Sequence, residues 1–284
     1  MTQALDLALL RNWIGKEEAC QDWITPTLVE RFLATLRLSD CNLPDDDGAP
    51  GLIHFCLGQP AAGMDELGED GHPAKGGFLP PVPLPRRMWA QSDIRFSGCL
   101  AIGDTIERRS RIENVEVKTG QSGPLCFVTV RHLITGQNGW SIEDLQTIVY
   151  REEGKRNAPQ RPLSAAARGL ATVQMIPSTT LLFRYSALTF NSHRIHYDRE
   201  YAISVEGYPG LVIQGPLQAT LLYRLARQMS GGQAPTSFKF RSLSPLYDND
   251  TVVLHATPRD DGAVGLWTAR PDGPVGMMAE ARWS

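Results

Sequence analysis

Two tight turns near the C-terminus constrain this chain more than any other feature. Asp260-Asp261-Gly262 separates residues 251–258 (TVVLHATP) from 263–269 (AVGLWTA), and Pro271-Asp272-Gly273 separates the latter from 274–283 (PVGMMAEARW). Turns this short leave no room for a crossover, so the three strands must be antiparallel neighbours in a meander. A second meander lies in the middle of the chain: 104–118 (DTIERRSRIENVEVK), 124–135 (PLCFVTVRHLIT) and 140–150 (WSIEDLQTIVY), divided by TGQSG and GQNG. Arg95, Leu100, Asp104 and Thr105 match Arg241, Leu246, Asp250 and Thr251 at a constant offset of 146, about half of the 284 residues. The chain therefore reads as a duplicated α+β unit.

Each half has a helix signal. Gly215-Pro216 opens a helix continued by LQATLLYRLARQM. Proline suits the first helical position, where its missing N–H would be unpaired anyway. Leu217, Leu221, Leu222, Leu225 and Met229 share one apolar face, and Ser230-Gly231-Gly232 ends the run. In the N-terminal half, Thr25-Pro26 starts a helix through about Leu38, with Leu28, Phe32, Leu33 and Leu36 inward. Residues 41–87 then hold eight Gly and eight Pro, which leaves no room for a long regular helix. Phe55, Phe78, Leu79 and the nearby Trp89 mark this as an ordered, packed loop. One long helix packed into a curved antiparallel sheet is the hot-dog arrangement. The expected architecture is an α+β double hot-dog, with residues 1–151 as the N-terminal unit, 152–169 as linker and 170–284 as the C-terminal unit.

The composition excludes several functions. Lys and Arg number 28 against 31 Asp and Glu, so the basic excess of a nucleic-acid binder is missing. No apolar stretch approaches the length of a membrane span, and the N-terminus lacks a basic region and a cleavage site, so we expect no membrane or secretory role. Five cysteines (Cys20, Cys41, Cys56, Cys99 and Cys126) form no C-x-x-C pair and fit a reducing cytoplasm. Neither G-x-S-x-G, G-x-G-x-x-G nor a Walker loop occurs, and we expect no cofactor.

The chemistry concentrates in FRYSALTFNSHRIHYDREYA, residues 183–202. Asn191, His193, Arg194, His196, Tyr197 and Asp198 crowd into eight positions just before the helix at 215. A His-x-x-His pair can chelate, but metal sites usually carry more acidic or thiol ligands, so no metal is expected. YSALTFNSHRIHYDREYA resembles the signature of the MaoC-like R-specific enoyl-thioester hydratases and dehydratases, Tyr-x-x-Ser-Gly-Asp-x-Asn-Pro-Leu-His. It is closer to a subgroup with the variant FN-x-HRIHYD. That subgroup includes mitochondrial 3-hydroxyacyl-thioester dehydratases and the itaconyl-CoA and 3-methylfumaryl-CoA hydratases. The run DGHPAKGGFLPPVPLPRRMWA also resembles the last of these.

The resemblance implies a hydro-lyase acting on an acyl-CoA, with His196 as acid/base. It places the family's carboxylate on Asn191 and its Asn on His193. An amide cannot act as a base, so Asn191 is expected to orient water, His193 to assist, and Gly215 to offer its N–H to the enolate oxygen. The second proton-transfer group stays open between His193, Asp198 and an acidic residue of the 41–87 loop. At the offset of 146, Pro50 falls where His196 would recur, so the N-terminal half is expected to lack an equivalent group. The implied substrate is a short dicarboxylic enoyl-CoA such as itaconyl-CoA or 3-methylfumaryl-CoA, giving citramalyl-CoA. Arg86, Arg87, Arg194 and Trp89 are its candidate binding residues, because a buried carboxylate needs a paired cation. A fatty-acid-synthesis dehydratase, a hot-dog thioesterase and a non-catalytic acyl-thioester binding module are the alternatives, and homodimerisation is a further expectation.

Overall fold

The computed structural model describes residues 5–38, 49–120, 123–152 and 164–283. The N-terminal half runs α1 (Leu7–Arg11), β1 (Glu17–Trp23), α2 (Pro26–Leu36), β2 (Arg86–Ser97), β3 (Thr105–Gly120), β4 (Gly123–Gly136) and β5 (Ser141–Arg151). The C-terminal half runs β6 (Ala171–Met175), α3 (Thr179–Leu188), α4 (Gly215–Met229), β7 (Ser237–Ser242), β8 (Val252–Pro258), β9 (Val264–Ala269) and β10 (Val275–Arg282). Ten strands form one sheet in the order β1-β3-β4-β5-β2-β7-β10-β9-β8-β6. Both meanders fall where the turns put them. Gly262 and Asp272 adopt positive φ at the two C-terminal turns, as tight antiparallel connections require. Alternation along β4 buries every second residue from Cys126 to Ile134 on one face.

The halves are joined edge to edge by antiparallel pairing of β2 with β7. The join is self-complementary: Gln91 pairs with Arg241, Arg95 with Ser237, and Asp93 with Lys239. Under the offset of 146, position 93 maps onto 239, so the central pair joins a residue to its own counterpart. An ion pair of 2.9 Å, Lys239 Nζ to Asp93 Oδ2, spans that point. The matched aspartates also behave alike. Asp104 accepts from the Ala101 N–H at 3.4 Å and Asp250 from the Tyr247 N–H at 2.8 Å, so each closes the corner into β3 or β8. This is the double hot-dog architecture.

The halves differ in what covers the sheet. In the C-terminal half α4 packs against β7, β8, β9 and β10. Its burial extends beyond the expected apolar face: Gln218, Thr220, Tyr223 and Arg224 are buried as well. The reason is that α4 also meets the N-terminal half. A Cβ built on Gly51 would lie 2.0 Å from Tyr223 Cε1, and Arg224 Nη1 donates to Leu36 O at 2.7 Å, capping the end of α2. In the N-terminal half the breaker-rich segment does the covering. Leu52, Ile53, Phe55 and Leu57 join Ile94, Ile106, Ile134 and Ile142 in the main core. Val82 and Leu84 pack with Ile112, Val115, Val128 and Val130 in a second cluster. Residues 41–48 of that segment lie outside the described residues.

α2 begins where Thr25-Pro26 signals it: Thr25 Oγ1 accepts from the Leu28 N–H at 3.0 Å, with Val29, Phe32 and Leu36 buried. α3, absent from the sequence expectations, starts from a Ser178 cap on the Leu181 N–H at 3.1 Å and buries Leu181, Leu182 and Tyr185. Of the expected linker, residues 153–163 lie outside the described residues. Residues 164–169 run beside the C-terminal sheet, where Ala166 donates to Gly273 O and Ala167 O accepts from Trp267 Nε1. Among the described residues no helix is long and apolar enough to cross a membrane.

Candidate active site

His196 lies on a 3₁₀ turn, Arg194–His196, between α3 and α4. Phe190 leaves α3 in a left-handed conformation (φ 49°), and the Asn191 Oδ1 accepts from the His193 N–H at 3.0 Å. That bond shapes the loop ahead of the turn. The His196 ring is buried, and its Nδ1 lies 2.7 Å from Val212 O. Val212 returns the contact through its N–H to Ile195 O at 2.9 Å. A carbonyl can only accept, so Nδ1 carries the hydrogen and Nε2 carries the lone pair. Burial pushes the pKa down to about 4, against the pull of Val212 O, so His196 is neutral at pH 7. The group is thus a base with its tautomer and ring orientation fixed.

The segment 68–73 docks on this turn from the N-terminal half. Arg194 N–H donates to Asp70 O at 2.9 Å, Arg194 Nη1 to Glu69 O at 3.2 Å, and the Ser192 hydroxyl to Gly71 O. Gly71 is required there: its φ is +84°, and a Cβ would lie 2.0 Å from Ser192 O. The docking brings in Asp70 and His72, a pair the sequence expectations did not single out. Asp70 Oδ1 accepts from the His72 N–H and Oδ2 faces His72 Nδ1, both at 3.0 Å. The His72 and His193 ring centroids are 4.1 Å apart, and those of His193 and His196 5.4 Å. Burial first, then coupling to His196 and the charge of Arg87, hold His193 well below the usual imidazole range.

The candidate arginines separate clearly. Arg87 has a buried side chain, with Nε 3.6 Å from Asp70 Oδ2 and Nη2 donating to Pro73 O at 2.9 Å. Arg86 pairs with Glu206 at 3.2 Å and lies over the Tyr208 ring. Arg194 pairs with Asp198 at 2.7 Å and stacks on Tyr201 at 4.1 Å. Asp198 also accepts from the Tyr201 N–H, which, with Arg194, holds its pKa low. Those contacts tie Asp198 to loop structure rather than to the histidines. Trp89 packs between Phe55 and Phe240. Its carbonyl oxygen lies 4.0 Å from a Cβ built on Gly215, so the start of β2 runs past the α4 N-terminus. Gly215 is the first residue of α4, so its N–H has no acceptor within the helix.

Asp70, His72 and His193 bring possible ligand atoms within 4.8 Å of one another, near enough for a divalent cation after small ring rotations. Arg87 argues against that use, because it already places a fixed positive charge beside the shared carboxylate oxygen.

The N-terminal half, expected to lack an equivalent of His196, carries a similar Ile-His-aromatic run. Ile53-His54-Phe55 begins a 3₁₀ turn after α2 just as Ile195-His196-Tyr197 follows α3. The spacing between these runs is 142, so an offset of 146 points to Pro50 instead. His54 is enclosed, 3.8 Å from Asp144, with Arg108 and His132 beside it. Burial keeps both imidazoles below the usual range, His132 at about 3. This cluster is a sealed polar core without access for a substrate.

The family model for hydroxyacyl-thioester dehydratase type 2 matches residues 52–248, a span that includes His72, His193, His196 and Gly215. A Chloroflexus aurantiacus protein named mesaconyl-C(4)-CoA hydratase is 42% identical over 268 residues, covering 94% of this chain and 95% of its own. The crystal structure of a MaoC-like dehydratase from Phytophthora capsici superposes with a TM-score of 0.70 at 16% identity over 99% of both chains. A Mycobacterium tuberculosis protein described as having a double hotdog fold gives a TM-score of 0.55 at 14% identity, covering 95% of this chain and 96% of its own. The chain belongs to the hydroxyacyl-thioester dehydratase type 2 family and is a hydratase/dehydratase of acyl thioesters.

Proposed function

We propose that the protein adds water across the conjugated double bond of a short dicarboxylic enoyl-CoA, such as 3-methylfumaryl-CoA, to give citramalyl-CoA. The observation that carries this reading is Arg87, a cation with a side-chain exposure of only 7% placed beside the histidine cluster. A fatty enoyl chain offers such a charge nothing, whereas a substrate with a second carboxylate pairs with it. The printed name of the Chloroflexus relative supports the same substrate class. In this reading Arg87 is the binding arginine. Arg86 and Arg194 lie 3.2 and 2.7 Å from Glu206 and Asp198, whereas Arg87 Nε is 3.6 Å from Asp70, beyond hydrogen-bond distance.

His196 takes a proton from water through Nε2 as the oxygen bonds to the β-carbon. Asn191 holds that water with its amide, His193 assists, and the Gly215 N–H at the α4 N-terminus receives the developing enolate oxygen. The test replaces Arg87 with Met and compares 3-methylfumaryl-CoA with crotonyl-CoA. A carboxylate-binding arginine costs the dicarboxylic substrate at least about tenfold more, near 1.4 kcal/mol of discrimination. Equal losses on both substrates contradict the reading and leave Arg87 only as the support of Asp70. Release of free CoA thiol would point instead to a thioesterase.

A further inference from the structure

We infer that His72, oriented by Asp70, is the second proton-transfer group of the site and protonates the α-carbon of the substrate. The inference rests on the hydration chemistry proposed above and completes it. That chemistry needs an acid as well as a base, and Asn191 occupies the position where the resembled family carries a carboxylate.

Four observations converge on His72. Its Nδ1 is engaged by Asp70 Oδ2 at 3.0 Å, which turns Nε2 away from the carboxylate. Its ring lies against His193, which in turn lies against His196, so three imidazoles form a continuous row. His72 is 23% exposed, while His193 and His196 are buried, so His72 is the member of the row most open to an entering thioester. The loop carrying it is fixed by three hydrogen bonds and by the close contact of Gly71 with Ser192. The charged and titratable groups around it are Asp70, Arg87, Lys75, His193 and, through the docking bonds, Arg194. Burial raises the Asp70 pKa, while Arg87 and Lys75 oppose that rise.

The step balances with water as the only co-reactant. Water gives one proton to His196 Nε2 and its oxygen forms the C–O bond at the β-carbon. The π pair moves toward the α-carbon and thioester oxygen, and the α-carbon takes the proton from His72 Nε2–H. His196 then holds one extra proton and His72 lacks one. Transfer along the row through His193 restores both. The N-terminal half, expected to lack an equivalent of His196, supplies the acid.

The experiment measures hydration of 3-methylfumaryl-CoA and crotonyl-CoA by the wild-type chain and by His72→Gln and Asp70→Asn, with kcat followed against pH. His72→Gln is expected to lower kcat about 100-fold or more with little change in KM, within the range for loss of a general acid. It also removes the alkaline limb of the profile, where an acid loses its proton, and leaves the acidic limb set by His196. Asp70→Asn moves the alkaline limb to lower pH, because the carboxylate no longer favours the imidazolium. A His72→Gln variant with wild-type kcat, or with its alkaline limb intact, overturns the inference while hydration by the wild type stands. So does activity abolished by a chelator and restored by zinc, which would make Asp70, His72 and His193 metal ligands. Failure of the wild type to hydrate either thioester overturns the proposed function and this inference with it.

Discussion

Replacing Gly71 by Ala tests whether the active site is assembled across the two halves. Gly71 has φ +84°, and the new Cβ would lie 2.0 Å from Ser192 O. The left-handed backbone costs an alanine about 1–2 kcal/mol. The contact is roughly 1.4 Å short of ordinary van der Waals separation, and its partner is backbone rather than a flexible side-chain tip. The 68–73 segment must therefore lift off the catalytic turn by more than about 1 Å, a displacement that can cost 100-fold in rate when it misplaces a reacting group. The control is Gly76→Ala in the same loop. Its φ is +97°, but the nearest atom to its Cβ is Pro81 Cβ at 3.6 Å, so it carries the backbone strain without the clash. The assay follows kcat/KM by loss of the conjugated absorbance and stability by thermal melting. Both variants should lose a few degrees of Tm. Gly71→Ala should lose about 100-fold in kcat/KM, and Gly76→Ala less than about threefold, under 1 kcal/mol of barrier. Equal activity in the two variants refutes the reasoning.

Three further outcomes follow from the same geometry. His196→Ala should lower turnover by about 100-fold or more with the fold intact, measured by steady-state kinetics and circular dichroism. Asn191→Asp should keep measurable activity, since it restores a carboxylate at that position and still offers an acceptor to the His193 N–H; complete loss would mean that the NH2 donor of the amide is essential. Stability should fall with acid. His132 and His196 have folded pKa values of about 3 and about 4, and His54 and His193 are also lowered, all below the unfolded value near 6.5. The stabilisation is full above pH ~6.5 and is lost as pH falls toward those folded values, because only the unfolded chain takes up the protons. Urea denaturation at pH 7.5 and pH 5 reads this out, and an unchanged midpoint would contradict it.

What the sequence discloses depends on how local the signal is. The C-terminal meander is visible because Asp260-Asp261-Gly262 and Pro271-Asp272-Gly273 leave only one way to connect the strands. α4 is visible because Gly215-Pro216 and five apolar residues at helical spacing announce it. α3 is less visible: its Thr-Thr start is a weak helix former, and polar site residues follow it at once. His196 can be singled out from the composition of its own loop. His72 cannot, because its role comes from a contact between segments about 120 residues apart, as the Ser192–Gly71 bond shows. Arg86 and Arg87 are indistinguishable as letters, yet successive strand residues face opposite sides. Only the strand's setting sends Arg87 to the histidines and Arg86 to Glu206. His54 is hidden because the two halves differ in loop length, so the offset drifts from 146 to 142.

The most direct test of the account is mass spectrometry of 3-methylfumaryl-CoA incubated with the protein in oxygen-18 water. The account predicts a product heavier than the substrate by one labelled water, with the thioester intact and no free CoA thiol. Release of the thiol, or turnover confined to long neutral enoyl chains while 3-methylfumaryl-CoA stays unchanged, would contradict it.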